Sequence, residues 1–158
     1  MSKKENTKKC KSEFKALKYN ANLDKLMSCC KKTPKFNLEN CLKICKIVDV
    51  YDGDTVRGVF EHNGVYNKWT IRMYGYDSPE MRPSRKLENR LEIKKNAIIS
   101  RDFLKTLVLD KIVGLECLSF DKYGRVLANI YIDSIDESIN DYMITNGYGY
   151  AYFGGTKK

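Results

Sequence analysis

Five short runs of β-branched and aromatic residues, interrupted once by a long helical stretch, restrict this chain more than any other feature. Residues 44–51 read Ile-Cys-Lys-Ile-Val-Asp-Val-Tyr and stop at the turn signal Asp52-Gly53. Residues 56–61 and 65–76 follow as two more strands around His62-Asn63-Gly64, where Asn-Gly favours a hairpin. Good helix formers then fill about 86–109, with Leu87, Leu91, Ile98, Phe103, Leu107 and Val108 at spacings that can turn one face to a core. Strands over 111–120 and 126–132 flank Asp121-Lys122-Tyr123-Gly124, and a second helix over 137–146 ends at Gly147. A parallel sheet would alternate strand and helix throughout, and this order does not. The expected fold is therefore α+β and mainly β: a five-stranded OB-fold Greek-key barrel with two or three helices.

At 158 residues the chain holds one such domain with a short appendage. The pattern changes near Pro34, so residues 1–40 are expected to form a lysine-rich extension with one or two short helices around Phe14, Leu17, Leu23 and Leu26. Residues 41–158 then form the barrel domain. Charge follows the same division. Up to Cys45 there are 12 lysines, no arginine and 4 acids, a balance of +8, while the other 17 basic and 16 acidic residues give +1. A nearly neutral body with a basic arm suits attraction to a polyanion, although a solubilising tail has the same composition.

No apolar run of the length a secretory signal needs follows Met1-Ser2-Lys3-Lys4, and no stretch suits a membrane span. Cys10, Cys29, Cys30, Cys41, Cys45 and Cys117 are better tolerated in a reducing compartment, and their spacing differs from that of zinc knuckles. The expectation is an intracellular protein, cytoplasmic or genome-associated, without membrane contact and monomeric.

Three segments carry residue types suited to hydrolysing a phosphodiester: Asp52-Gly53-Asp54-Thr55, then Arg72 leading to Asp77-Ser78-Pro79-Glu80, then Asp121-Lys122-Tyr123-Gly124-Arg125. Asp54 and Asp77 are hard oxygen donors for calcium or magnesium. Ser78 precedes proline, which steers its backbone from the helical region, so Asp77 and Glu80 leave a stiff turn in fixed directions. A glutamate such as Glu80 can draw a proton from water, and guanidinium forks such as Arg72 and Arg125 donate bidentately to phosphate oxygens. Each segment has an ordinary alternative: Asp-Gly is a common turn, Arg72 and Asp77 could form a structural ion pair, and residues 121–124 could be a plain hairpin connection. An EF-hand starting at Asp52 is excluded, because it would need glycine at Arg57 and glutamate at Asn63.

Taken together and in this order, the three segments resemble the active-site segments of the staphylococcal nuclease-like (thermonuclease) family, over roughly residues 44–153. The resemblance implies a calcium-dependent nuclease that cleaves DNA and RNA with little sequence preference, leaving 3′-phosphate ends. It implies Asp54, Asp77 and the carbonyl of Ser78 as ligands of one Ca2+, Glu80 as general base, and Arg72 and Arg125 on the phosphate. Lys122 and Tyr123 correspond to residues that contact a neighbouring phosphate. Tyr152 is the substrate-binding candidate among Tyr148, Tyr150, Tyr152 and Phe153, a group otherwise suited to core packing, as is Trp69. The competing reading is a catalytically inactive OB-fold module that binds nucleic acid or a protein partner.

Overall fold

The computed structural model describes residues 22–154, with Glu13 and Leu17 ahead of them. The helix expected around Phe14 lies outside the described residues. Contacts divide the chain after Phe36 into two units. In the first, a short helix α1 (Leu23–Met27) is capped by Asn22, whose side chain accepts from the Lys25 N–H at 3.0 Å. Leu23 and Leu26 are both exposed.

The second unit is built on five strands: β1 (Cys41–Val50), β2 (Thr55–His62), β3 (Val65–Met73), β5 (Ile112–Phe120) and β6 (Val126–Tyr131). They close into a barrel in the order β1-β2-β3-β6-β5. All pairs are antiparallel except β3 with β6, where Ile71 faces Val126 and Arg72 faces Leu127. The α+β, mainly β barrel expected from the sequence is the observed architecture. Alternation explains the closure, since Cys45, Ile47, Val56, Phe60, Ile71, Val113, Leu115, Val126, Ala128 and Ile130 all point into one core. Trp69 stacks on Phe60 with centroids 5.1 Å apart, as packing on its strand requires. At the β2–β3 hairpin Asn63 and Gly64 both take positive φ, 52° and 79°, the backbone that Asn-Gly favours.

Two features depart from the expectation. The third strand does not run to Tyr76; it ends at Met73, turns at Gly75 (φ 70°), and restarts as β4 (Tyr76–Asp77). β4 pairs with a second short strand, β7 (Tyr150–Ala151), in a separate two-stranded sheet. Strands of two residues are too short to show a period. The long helix α2 (Arg90–Val108) also begins later than expected, after successive turns at Ser84–Leu87 and Leu87–Arg90. Its buried positions are Ala97, Ser100, Leu104 and Val108, whereas Leu91 is 80% exposed and Leu87 46%. Close approach is the reason: a Cβ on Gly53 would lie 2.2 Å from the Ser100 hydroxyl, so the helix meets the Asp52-Gly53 turn through small residues.

The last helix α3 (Ile139–Thr145) is fixed at both ends. Ser138 caps it by accepting from Asp141 N–H at 3.0 Å, and Gly147 (φ 76°) closes it in a left-handed turn. Asn140 on α3 is buried and ties the helix to the barrel. Its amide donates to the carbonyls of Tyr74 (2.8 Å) and Ala128 (3.1 Å), and its oxygen accepts from Ile130 N–H (3.2 Å).

Candidate active site

The first segment sits where β1 passes into β2. Asp52 Oδ1 accepts from the Asp54 N–H at 3.1 Å, an Asx turn that tightens the reversal. Gly53 leaves space that a Cβ would fill, being 2.6 Å from where Ser78 Cβ stands. Asp54 is thereby pushed inward and buried. Its Oδ1 accepts from the Thr55 hydroxyl at 2.8 Å, and its Oδ2 from both the N–H and the hydroxyl of Ser78, at 3.0 and 2.9 Å.

Arg72 is the penultimate residue of β3, directly across from Thr55. Its Nη1 donates to the carbonyls of Met73 (2.8 Å) and Tyr76 (2.7 Å), which locks the turn between β3 and β4. Nη2 donates to Asp77 Oδ1 at 2.7 Å, and Nε lies 3.2 Å from Asp54 Oδ1. One guanidinium thus bridges both aspartates, and four of its five N–H groups face protein acceptors. The Arg72–Asp77 pair is present, as the ordinary reading held, and the same guanidinium joins the second candidate segment to the first through Asp54.

The third segment is organised by Asp121. Its Oδ1 accepts from the N–H groups of Tyr123 (2.8 Å) and Arg125 (2.9 Å), and its Oδ2 from Arg125 Nε at 2.6 Å. Partial burial works against ionisation of Asp121. The hydrogen bonds from Arg125 and Tyr123, with the Arg125 charge, nevertheless hold its carboxyl below the ordinary value of 3.8. Tyr123 is exposed, with Lys122 Nζ 5.0 Å and the Arg125 guanidinium carbon 5.5 Å from its ring centre.

All three segments border one cavity of about 530 Å³. Asp54, Arg72, Asp77, Ser78, Glu80, Lys122, Tyr123, Arg125 and Tyr152 all line it. Glu80 is exposed to it, with Oε1 accepting from the Arg82 N–H at 3.2 Å. Tyr152 is held by its own N–H, which donates to Gly75 O at 2.9 Å.

The C-terminal aromatics divide between core and cavity. Tyr148 stacks on Phe103 at 3.9 Å, and Phe153 meets Tyr74 edge-on at 5.8 Å on the cavity wall. Sequence reasoning missed three residues here. Asp52 lines the cavity, and burial together with the Asp54 charge pushes its carboxyl up to about 6. The Asp-Gly-Asp doublet was the signal for it. Tyr74 joins the wall, and Tyr150 donates to Asp77 Oδ2 at 2.8 Å. Burial and that bond to the carboxylate push the Tyr150 phenol up to about 12.

The cavity floor is rich in negative charge. Asp54 and Asp77 share the buried guanidinium of Arg72, and Asp52 stands beside Asp54, where burial first and the Asp54 charge second raise its carboxyl. Hard carboxylate oxygens with surplus negative charge fit a divalent cation such as calcium or magnesium. Among the described residues no three His, Cys, Asp or Glu side chains gather at ligand spacing. A cation held at Asp54 and Asp77 would accordingly keep positions open for water and substrate oxygens.

The cysteines lie elsewhere. Cys45 and Cys117 are buried in the barrel, where desolvation raises their thiols to about 12 and about 11, while Cys29 and Cys30 are exposed. Among the described residues no helix is long and apolar enough to cross a membrane.

Comparison with known proteins identifies the family. Residues 70–158 match the family model described as staphylococcal nuclease homologue, which is more than half of the chain. A protein of Escherichia coli named "Uncharacterized endonuclease" is 27% identical over 107 residues, covering 68% of this chain and 60% of that protein. An uncharacterized protein of Methanocaldococcus jannaschii is 33% identical over 124 residues, covering 67% of this chain and 56% of its own length. The chain thus spans less than two thirds of either relative.

Proposed function

We propose a metal-assisted phosphodiesterase activity for this chain, which belongs to the family of staphylococcal nuclease homologues. Its substrates are DNA and RNA, cleaved internally with little sequence preference and with products ending in 3′-phosphate. The observation that carries this reading is the convergence of Asp54, Arg72, Asp77, Glu80 and Arg125 on one cavity. The endonuclease name of the E. coli relative supports it.

Asp54, Asp77 and the Ser78 carbonyl would hold one divalent cation, with calcium the family's choice. When bound, the cation lowers the pKa of a water molecule and draws off charge from a phosphate oxygen. Glu80, exposed to the cavity, accepts the proton of the attacking water, a step worth about 10² to 10⁴ in rate. Arg125 lies opposite on the 121–125 loop, with Nε tied to Asp121 and its terminal nitrogens available to phosphate oxygens as charge develops. Arg72 contributes mainly by fixing the two aspartates, and its one remaining N–H is available to the phosphate. Lys122 and Tyr123 take the neighbouring phosphate, and Tyr152 packs against the nucleotide.

Incubation of the full chain with DNA and with RNA across a panel of divalent ions tests this reading. The expected result is acid-soluble nucleotide release with calcium and none with chelator. Binding of either nucleic acid without release under any ion would instead favour the inactive OB-fold module.

A further inference from the structure

The contact that the sequence pattern least foreshadows at the cavity comes from β7. Tyr150 stands opposite Asp77 in the register of the two-stranded sheet, so both side chains leave the same face. The phenol donates to Asp77 Oδ2 at 2.8 Å while Arg72 Nη2 donates to Oδ1 at 2.7 Å. A carboxylate that is 2% exposed is thereby gripped at both oxygens. β7 is itself pressed against β4. A Cβ on Gly149 would stand 2.2 Å from Tyr76 Cε2 and 2.4 Å from Asp77 O, so only glycine lets the strand approach this closely. Tyr76 OH donates to Tyr148 O at 3.2 Å, and Tyr152 N–H to Gly75 O at 2.9 Å, pinning the strand on either side of Tyr150.

A hydroxyl donor on Oδ2 uses one of its lone pairs and fixes the plane of the carboxylate, which decides where the remaining lone pairs point. Partners of this kind orient metal-binding side chains, and their removal commonly weakens metal binding by about 10- to 100-fold. We propose that Tyr150 is a positioning residue whose hydroxyl orients Asp77 and thereby sets the affinity of the site for a hard divalent cation. The inference rests on the reading of Asp77 as a cation ligand. Tyr150 acts in this role through its bond to the aspartate.

Calorimetric titration of the full chain with calcium, in the absence of nucleic acid, tests the proposal. Tyr150→Phe keeps the ring and removes the donor, and its expected Kd for calcium is about tenfold weaker than the parent's. Its melting temperature without calcium should fall by only a few degrees. Gly149→Ala, which keeps the hydroxyl but displaces the strand that carries it, should weaken calcium binding in the same direction. Tyr148→Phe, losing a hydroxyl from a ring that stacks on Phe103 and does not line the cavity, should bind as the parent does. The proposal is overturned if Tyr150→Phe binds calcium as tightly as the parent, or if Tyr148→Phe loses as much affinity as Tyr150→Phe. A parent that binds no divalent cation overturns it as well, and in that case the metal reading of the whole site falls first.

Discussion

Asp54 and Ser78 stand 24 positions apart and meet through two hydrogen bonds, the serine N–H and hydroxyl both reaching Asp54 Oδ2, at 3.0 and 2.9 Å. This pair joins the turn after β1 to the turn after β4, so the first two chemical segments form one rigid body. Ser78→Ala removes the hydroxyl donor and leaves the N–H. Hydrogen bonds to charged groups contribute about 1.5–3 kcal/mol, and a loss in that range should appear in denaturant unfolding of the cation-free protein. Unchanged stability would mean that another donor takes over Oδ2.

Arg72 is predicted to be irreplaceable by lysine for reasons of stability before those of catalysis. A single ammonium cannot reach the Met73 and Tyr76 carbonyls while also meeting Asp77 and Asp54. Breaking a buried charge network commonly costs about 3–5 kcal/mol, and Arg72→Lys should shift the urea midpoint accordingly. A shift below about 1 kcal/mol would contradict the bridging role.

The barrel was legible because its strands alternate, and alternation is a short-range signal: Cys45, Ile47, Val56 and Phe60 announce their faces within a few residues. The candidate segments were legible because each packs several ionisable groups into four or five positions. What escaped depended on contacts distant in sequence. Leu87 and Leu91 have the spacing of core residues, yet the helix buries Ala97, Ser100, Leu104 and Val108, and the small size of Ser100 answers to Gly53 more than forty positions earlier. Tyr150 carries no local mark of its bond to Asp77, which exists only because Gly149 allows β7 to close on β4.

Acid should expose the role of Asp121. Its carboxyl lies below 3.8 in the folded chain, so it binds protons less readily folded than unfolded. Its stabilising contribution is therefore full above about pH 4 and is lost as pH falls through the folded value. Relative to the parent, Asp121→Asn should be less stable by a constant amount from about pH 5 to 7. The difference should shrink at lower pH. Denaturant midpoints measured across this range check the sign, and a difference that grows on acidification would contradict it.

Asn140 is predicted to be the polar residue outside the cavity to which stability is most sensitive. Asn140→Ala leaves the Tyr74 and Ala128 carbonyls and the Ile130 N–H without their side-chain partner beneath α3. The Ala128 carbonyl still accepts from the Tyr74 N–H at 3.0 Å, so the loss falls on the other two groups. Each buried group left unsatisfied costs about 1–3 kcal/mol, and the melting temperature should drop by about five degrees or more. The fall should be the same with and without calcium, because Asn140 does not line the cavity.

Steady-state cleavage of single-stranded DNA in calcium by Glu80→Gln tests the account most directly. The substitution keeps the shape of the side chain and removes its charge and its capacity to accept a proton from water, at an exposed position on the cavity wall. The predicted result is a kcat lower by about 10² to 10⁴ with KM changed less than a few-fold and thermal stability intact. A kcat within about threefold of the parent would contradict the assignment of Glu80 as the base, and with it the mechanism built around this cavity.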